Sequence, residues 1–528
     1  MKQISILDST LRDGAQAEGI SFSVTDKINI CRALDELGVA YIEAGNPSSN
    51  PKDIEFFKEV AAVPFKNAVL TAFGSTRRKG VACEEDANLN ALVNAGTEAV
   101  SIFGKSWDFH VTEILKATKE ENLAMISETV AFLKARGKTV IYDAEHFFDG
   151  YKNNLEYAME TIRAAERAGA DIIDLCDTNG GCFPDEIESI VKAVMAEVKC
   201  EVGIHAHDDA GCGVANSMAA VFAGAKHVQG TLIGYGERCG NANLSAIIAN
   251  LQLKRGINCA AGDLGKLTEI CRRVAEISNV RLNRGMPYVG KSAFTHKAGM
   301  HIDGVNKSSK SFEHVSPETV GNERRFLMSE VAGRSTVLEK IRRIEPSVTK
   351  DNPVTAKIID KIKEMEFKGY QFEGADASFE LLIRKQLGTY KPFFSLEKFK
   401  TIGEQHAGED FAPAAAIVKV SVNGSAEITG AEGNGPVNAL DVALRKALER
   451  FYPSLKEFKL TDYKVRILDS RETSSAVTRV LIESSDKKDV WTTVGVSRDI
   501  IEASLIALID ALEYKLIKDE ETKNNQCK

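Results

Sequence analysis

From residue 1 to about residue 255, short β-branched apolar runs alternate with stretches whose apolar residues recur at helical spacing. The runs predict strands at Ile4–Leu7, Tyr41–Ala44, Ala68–Ala72, Ala99–Phe103, Thr139–Ala144, Asp171–Cys176, Glu201–His205 and His227–Thr231. Amphipathic helical patterns follow most of them, for example Asp26–Leu37, Leu155–Ala168 and Pro184–Val198. Eight such units in this length predict an α/β fold, a (β/α)8 TIM barrel, because a doubly wound sheet more often stops at about five to seven strands. The functional face is then the C-terminal end of the strands.

Beyond the barrel, helical patterns at Gly262–Glu276 and Ser329–Ile344 flank a His- and Gly-bearing loop at His296–Gly304. The stretch 407–416, with Gly408, Pro413 and three consecutive alanines, marks a boundary. After it, strands precede a helix twice: Ile417–Val422 and Ser425–Gly430 before Val437–Arg450, then Tyr463–Leu468, Ala476–Glu483 and Val490–Val496 before Ile500–Tyr514. Asn438–Leu444 aligns with Asp499–Leu505, so the region reads as an α+β module with an internal pseudo-repeat. Lys518–Lys528 is charged and aperiodic and is expected to fray. The expected division is a barrel at 1–265, a mostly helical linker region at 266–408 and a C-terminal module at 409–528.

Composition narrows the class. With 67 basic against 75 acidic side chains the formal charge is −8, which excludes the basic footprint of a general nucleic-acid binder. At 44% apolar and 27% charged, the chain can build large cores, and its 528 residues exceed what one core sustains. No run approaches the roughly 20 apolar residues of a membrane span; the oiliest helix, 500–512, is interrupted by Glu502 and Asp510. Met1 leads directly into a strand pattern, without a secretory signal. Ten cysteines without a CxxC pair suit free thiols in a reducing cytoplasm.

Three motifs carry candidate chemistry, each at a predicted strand end. Asp8-Ser-Thr-Leu-Arg-Asp-Gly14 places the Asp13 carboxylate beside the Arg12 guanidinium; alone, such a pair reads as a surface salt bridge. In His205-Ala-His207, residues two apart on a strand share a face, so both imidazoles aim into the barrel mouth. They are either two hydrogen-bonded histidines or ligands of Zn²⁺, Fe²⁺, Mn²⁺ or Co²⁺. Asp13 favours the metal, because first and seventh strands are near neighbours in a closed ring of eight. Gly234-Tyr-Gly-Glu-Arg-Cys-Gly-Asn241 offers Asn241 as a further ligand, with Glu237 and Arg238 as braces, or is a glycine-rich loop that caps a helix. Glu145 and Thr178 lie at two more strand ends, a candidate general base and a candidate carboxylate-holding hydroxyl. His301, in the 296–304 loop, is a solvated histidine or an acid–base group on a closing loop.

In this order the motifs resemble the acyl-CoA condensing enzymes that include 2-isopropylmalate, homocitrate and citramalate synthases, also called DRE-TIM metallolyases. The resemblance spans essentially the whole chain, from Asp8–Gly14 through His205–His207, Gly236–Asn241 and His296–Gly304 to Gly433–Val437. Phe103–Asp108, Gly369–Phe379 and Asp462–Arg466 look most like the (R)-citramalate synthase branch, which joins pyruvate to acetyl-CoA on a route to isoleucine. The resemblance implies that Asp13, His205, His207 and Asn241 bind a divalent metal and that Arg12 faces the keto oxygen. It also implies that Thr178 holds the pyruvate carboxylate and that Glu145 and His301 move the proton of the acetyl methyl. The linker region then completes the active site, His301 reaching it from the partner subunit of a homodimer. Two positions depart from the family pattern: Ala15 replaces a frequent carboxylate, and Phe312 stands where several relatives carry tyrosine, leaving His314 or water as a substitute partner for the histidine.

The C-terminal repeat resembles the family's regulatory domain. Gly433, Asn434, Gly435, Pro436 and Val437, with Gly495 and Ser497, are the candidate contacts for an amino-acid effector, expected to be isoleucine. A plain dimerisation module is the simpler alternative. For the whole chain the alternatives are a 2-isopropylmalate synthase, a lyase on the same barrel, and a non-catalytic amino-acid sensor with a vestigial barrel.

Overall fold

Alternation along each strand divides the residues between a lumen and an outer layer under the helices. On β5 (Thr139–Glu145), Val140, Tyr142 and Ala144 join the main apolar cluster, leaving Ile141, Asp143 and Glu145 on the opposite face. On β7 (Glu201–Ala206), Val202, Ile204 and Ala206 pack outward, and Gly203 and His205 face inward. The computed structural model describes residues 4–297, 299–326, 338, 341–342, 344–349, 352–403, 413–468, 476–486 and 489–526.

These two strands close a parallel barrel with β1 (Ser5–Asp8), β2 (Tyr41–Glu43), β3 (Val69–Ser75), β4 (Ala99–Lys105), β6 (Ile172–Asp177) and β8 (His227–Gly230). Neighbours follow chain order, and β8 pairs with both β7 and β1. This is the expected TIM barrel. Leu7, Ile141 and Ile172 form an apolar plug in the lumen. Two residues further along β5 and β6 the lumen turns polar, with Asp143 and Asp174 joined in burial by Ser101 and Gln229. Asp174 is fully buried, and neither of its oxygens has a hydrogen-bond partner among the described residues. Burial, followed by the nearby Asp143 and Glu43, raises its pKa well above the usual carboxylate range.

The surrounding helices start and stop on local signals. Val24–Leu37 begins with a capping box, Ser23 accepting from the Asp26 N–H while the Asp26 side chain accepts from Ser23. It ends at Gly38, whose φ is 81° and where a Cβ would lie 2.2 Å from the Gly262 nitrogen. Among the described residues, no helix is long and apolar enough to cross a membrane.

The chain divides into two units, 1–295 with 313–325, and 296–312 with 326–528. In the second, Gly299–Lys307 is an α-helix where a loop was expected. Ile302 and Val305, three apart, bury one face in a small cluster with Phe326, which a glycine-dominated reading of that segment overlooks. The expected helix at Ser329–Ile344 lies largely outside the described residues.

The C-terminal module repeats three strands and a helix. Ser395–Gly403, Ala414–Val422 and Ser425–Gly433 form one antiparallel sheet under the helix Pro436–Leu448. Lys459–Ile467, Thr478–Ser485 and Val490–Ser497 form the other under Ile500–Gln526. The expected boundary at 408/409 therefore falls inside a sheet, since Thr401 pairs with Ala416 across it. Ser395–Gly403 escaped the sequence reading because it is an edge strand with little buried on either face.

The C-terminal helix also continues to Gln526 instead of fraying. Leu516 and Ile517 are buried, Arg384 donates to Glu521 at 2.5 Å, and Lys518 pairs with Glu380 at 3.3 Å.

Glu513 on this helix accepts from the Phe393 N–H at 3.1 Å, and burial pushes its pKa up to about 7. A carboxyl raised in the folded state binds its proton more tightly folded than unfolded. Its contribution is therefore complete below the unfolded value of about 4.3 and is lost as pH rises through 7, by up to about 4 kcal/mol. Glu513→Gln is expected to flatten the decline in thermal midpoint between pH 5 and pH 8 measured by calorimetry; an unchanged decline would exclude Glu513 as its source.

Candidate active site

Backbone geometry gathers the donors at the C-terminal end of the strands. Asp13 sits in the turn after β1, where its N–H donates to Ser9 Oγ at 3.2 Å. His205 lies near the end of β7, and His207 just beyond it bridges to Asn241, pinning the Gly234–Asn241 loop over the mouth. The Nε2 atoms of His205 and His207 are 3.3 Å apart and lie 3.7 and 3.9 Å from Asp13 Oδ2. The Asn241 amide nitrogen is 3.2 Å from His205 Nε2.

This arrangement fits a divalent cation. Adjacent ligands at bonds of about 2.1 Å stand roughly 3.0 to 3.4 Å apart in octahedral or tetrahedral geometry, so the trio needs only to draw in by tenths of an ångström. Asp13 Oδ1, His207 Nδ1 and Asn241 Oδ1 are buried without a hydrogen-bond partner among the described residues. A Cβ on Gly236 would fall 2.0 Å from Asn241 Oδ1 and 3.2 Å from Asp13 Oδ1, so glycine keeps this space open. Burial holds both histidines below the usual imidazole range, His207 down to about 4 with His205 adding to the effect. They are neutral, as ligands must be. Burial pushes the Asp13 carboxyl upward, but its neighbours, the Arg12 guanidinium foremost, hold it below its usual value.

Arg12 is fixed on three sides. It donates to Asp13 Oδ2 at 2.7 Å and to Glu43 Oε2 at 2.6 Å, and its guanidinium lies 3.9 Å over the Phe73 ring. Glu145 pairs with Lys105. Thr178 Oγ1 accepts the His146 N–H at 2.8 Å, leaving its own proton free to be donated. Arg238 forks onto Asp209 at 2.8 and 2.9 Å and donates to the Thr178 carbonyl at 2.7 Å, so its contacts are to these two residues and not to the donor set. His146 and Arg238 both have left-handed backbone, φ 57° and 55°. Strain of this kind is retained where surrounding contacts demand one geometry.

Arg12, Asp13, Glu145, Thr178, His205 and His207 line one pocket of about 210 Å³, whose apolar walls are Phe73 and Phe103, stacked at 5.5 Å. His301 belongs to the second unit, where its exposed ring stacks on Phe312 at 4.2 Å, a ring contact in place of a phenolic hydrogen bond. His314 belongs to the first unit, with its ring 5.1 Å from Tyr288.

In the C-terminal module, Gly433 and Ser497 end strands, and Asn434–Val437 runs into the helix that begins at Pro436. Asn434 N–H donates to Asn438 Oδ1, and Ser497 Oγ accepts from the Asp499 N–H. Gly495 has a packing role, because a Cβ there would meet the Ala503 carbonyl at 1.9 Å.

Sequence reasoning missed Glu43, Phe73, Phe103, Asp143 and Gln229. Strand parity was available for several: Asp143 is two before Glu145 and therefore shares its face.

Residues 3–274 match the HMGL-like family, 288–369 the homocitrate synthase post-HMGL domain-like family and 373–516 the LeuA allosteric (dimerisation) domain. The chain is 52% identical to the (R)-citramalate synthase of Aquifex aeolicus (strain VF5) over 98% of its own length and 99% of that protein's. It is 50% identical to the (R)-citramalate synthase of Geobacter sulfurreducens over the full length of both. A probable 2-isopropylmalate synthase of Methanopyrus kandleri is 31% identical over 96% of this chain and 97% of that protein.

Proposed function

Because the chain belongs to the HMGL-like family and, within it, to the (R)-citramalate synthases, we propose a division of labour at its site for that reaction. The activity is the acyl transfer in which acetyl-CoA, pyruvate and water give (R)-citramalate and CoA. Asp13, His205 and His207, with Asn241 as a further ligand, would hold a divalent cation. When bound, such an ion supplies Lewis acidity at the 2-keto group; Zn²⁺, Mn²⁺, Fe²⁺ and Co²⁺ all suit the donor set.

Arg12 faces the keto oxygen as negative charge develops, its orientation set in advance by Asp13 and Glu43. The Thr178 hydroxyl donates to the pyruvate carboxylate. Glu145 takes a proton from the acetyl methyl, and the resulting enolate attacks C2 of pyruvate. His301, supplied by the second subunit of a homodimer, is the accompanying acid–base group. Water then cleaves the citramalyl thioester, which drives the synthesis forward. The C-terminal module is assigned to dimerisation and to binding isoleucine, the end product of the route, with Gly433–Val437, Gly495 and Ser497 as its contacts. Nine described cysteines, all unpaired, accord with a reducing cytoplasm.

The observation that carries this reading is the buried Asp13–His205–His207 trio beside a fixed Arg12. A CoA-release assay over a panel of 2-keto acids, with and without chelator and isoleucine, tests it. Pyruvate is expected to be turned over fastest, chelator to remove the activity and metal to restore it. Preference for 2-ketoisovalerate would turn the reading toward 2-isopropylmalate synthesis, and CoA release that survives in His205→Ala toward a sensor with a vestigial barrel.

A further inference from the structure

His205 presents two ring nitrogens, and a neutral imidazole carries one proton. Its Nε2 looks toward Asp13, His207 and Asn241, whereas Nδ1 lies 2.9 Å from Gln229 Oε1. Whichever arm of the Gln229 amide faces His205 decides where that proton rests. A carbonyl there requires Nδ1–H and leaves an Nε2 lone pair aimed at the trio; an NH₂ group would place the proton on Nε2, inside the centre.

The amide is not free to choose. Its Nε2 donates to Asp143 Oδ1 at 2.9 Å, and Asp143 Oδ2 accepts from Ser101 Oγ at 2.6 Å. Burial raises the Asp143 pKa to about 7, yet Oδ1 accepts both in the carboxylate and in the acid protonated on Oδ2 toward Ser101, so it holds the NH₂ arm and turns the carbonyl to His205. All four residues are buried, and Gln229 is fully so. The chain of hydrogen bonds crosses the lumen from β4 and β5 to β8 and β7, so it is built from strands, the most rigid part of the barrel.

We propose that Gln229, oriented by Asp143, is a positioning residue that fixes the proton of His205 on Nδ1 and thereby keeps Nε2 ready to ligate. The proposal rests on the metal reading of the trio.

The test is titration of the apo protein with Mn²⁺, followed calorimetrically, in the full-length chain. Gln229→Leu and Asp143→Asn are each expected to weaken Mn²⁺ binding by about 10- to 100-fold. The paired change Asp143→Asn with Gln229→Glu reverses the polarity of the first link: the amide introduced on β5 donates to the carboxylate introduced on β8, and that carboxylate still accepts from His205 Nδ1. The pair is expected to recover binding to within a few fold of the unsubstituted chain, which a purely packing role would not produce. Imidazole ¹⁵N shifts of the apo protein should show His205 protonated at Nδ1 in the unsubstituted chain and in the paired variant.

Unchanged Mn²⁺ affinity in both single variants, or no recovery in the pair while each variant keeps a cooperative thermal transition, overturns the proposal alone. Absence of Mn²⁺ binding by the unsubstituted chain overturns the metal reading, and the proposal falls with it.

Discussion

His205→Ala is expected to lower kcat/KM for pyruvate by on the order of 10³-fold or more and to empty the purified protein of divalent metal. The ring sits at the centre of the donor set, 3.3 Å from His207 Nε2, 3.2 Å from the Asn241 amide and 3.7 Å from Asp13 Oδ2. Removing it leaves one imidazole, one carboxylate and the Asn241 amide. Lewis-acid stabilisation of the transition state amounts to several kcal/mol, and each 1.36 kcal/mol is a factor of about ten in rate. The fold should survive, because the alanine empties a polar pocket while the outward residues Ile204 and Ala206 keep β7 anchored. Metal content by elemental analysis, beside the CoA-release rate, separates loss of the centre from loss of structure. A variant that keeps stoichiometric metal and a rate within tenfold of the parent would remove the trio from the mechanism.

Glu145→Gln should have a comparable effect on turnover with the opposite signature at the metal. Glu145 lines the same pocket from the end of β5 and is paired with Lys105 instead of with the donors. Its amide is nearly isosteric and cannot take a proton, so kcat is expected to fall by about 10²- to 10⁴-fold. Metal affinity should remain within a few fold of the parent. Exchange of the acetyl-CoA methyl protons with deuterated solvent, measured with a non-reacting keto-acid analogue bound, should disappear. Persistent exchange would assign proton abstraction elsewhere, with His301 the first alternative.

The placement of these two residues at the barrel mouth was readable from the chain because its signals are local. His205-Ala-His207 declares a shared face through strand parity, and Glu145 directly follows a predicted strand. The eight barrel strands were legible for the same reason: each is an apolar run, and most are followed by a helical period.

Gln229 had no such signal. A single glutamine in a strand is uninformative until closure of the barrel brings Asp143, 86 positions earlier in the chain, to 2.9 Å. Glu43 is similar, its meaning supplied by Arg12 from a different strand end. The missed strand Ser395–Gly403 buries too little to show an alternating pattern, and the last turns of the terminal helix depend on partners over 130 residues away, such as Glu380 and Arg384. Interactions set by closure or by distant charge leave no trace in a window of neighbouring residues.

Asp174 has a different consequence. It occupies the lumen without a partner for either oxygen among the described residues, and it is absent from the walls of the catalytic pocket. A lone acid in such a place burdens the scaffold, since desolvating it is unfavourable and no bond offsets the loss. The barrel therefore carries an unused reserve of heat tolerance. A lineage moving to hotter surroundings, or an engineer seeking a hardier catalyst, has one interior position where an uncharged side chain of matching size can harden the scaffold while the chemistry at the rim stays as it is.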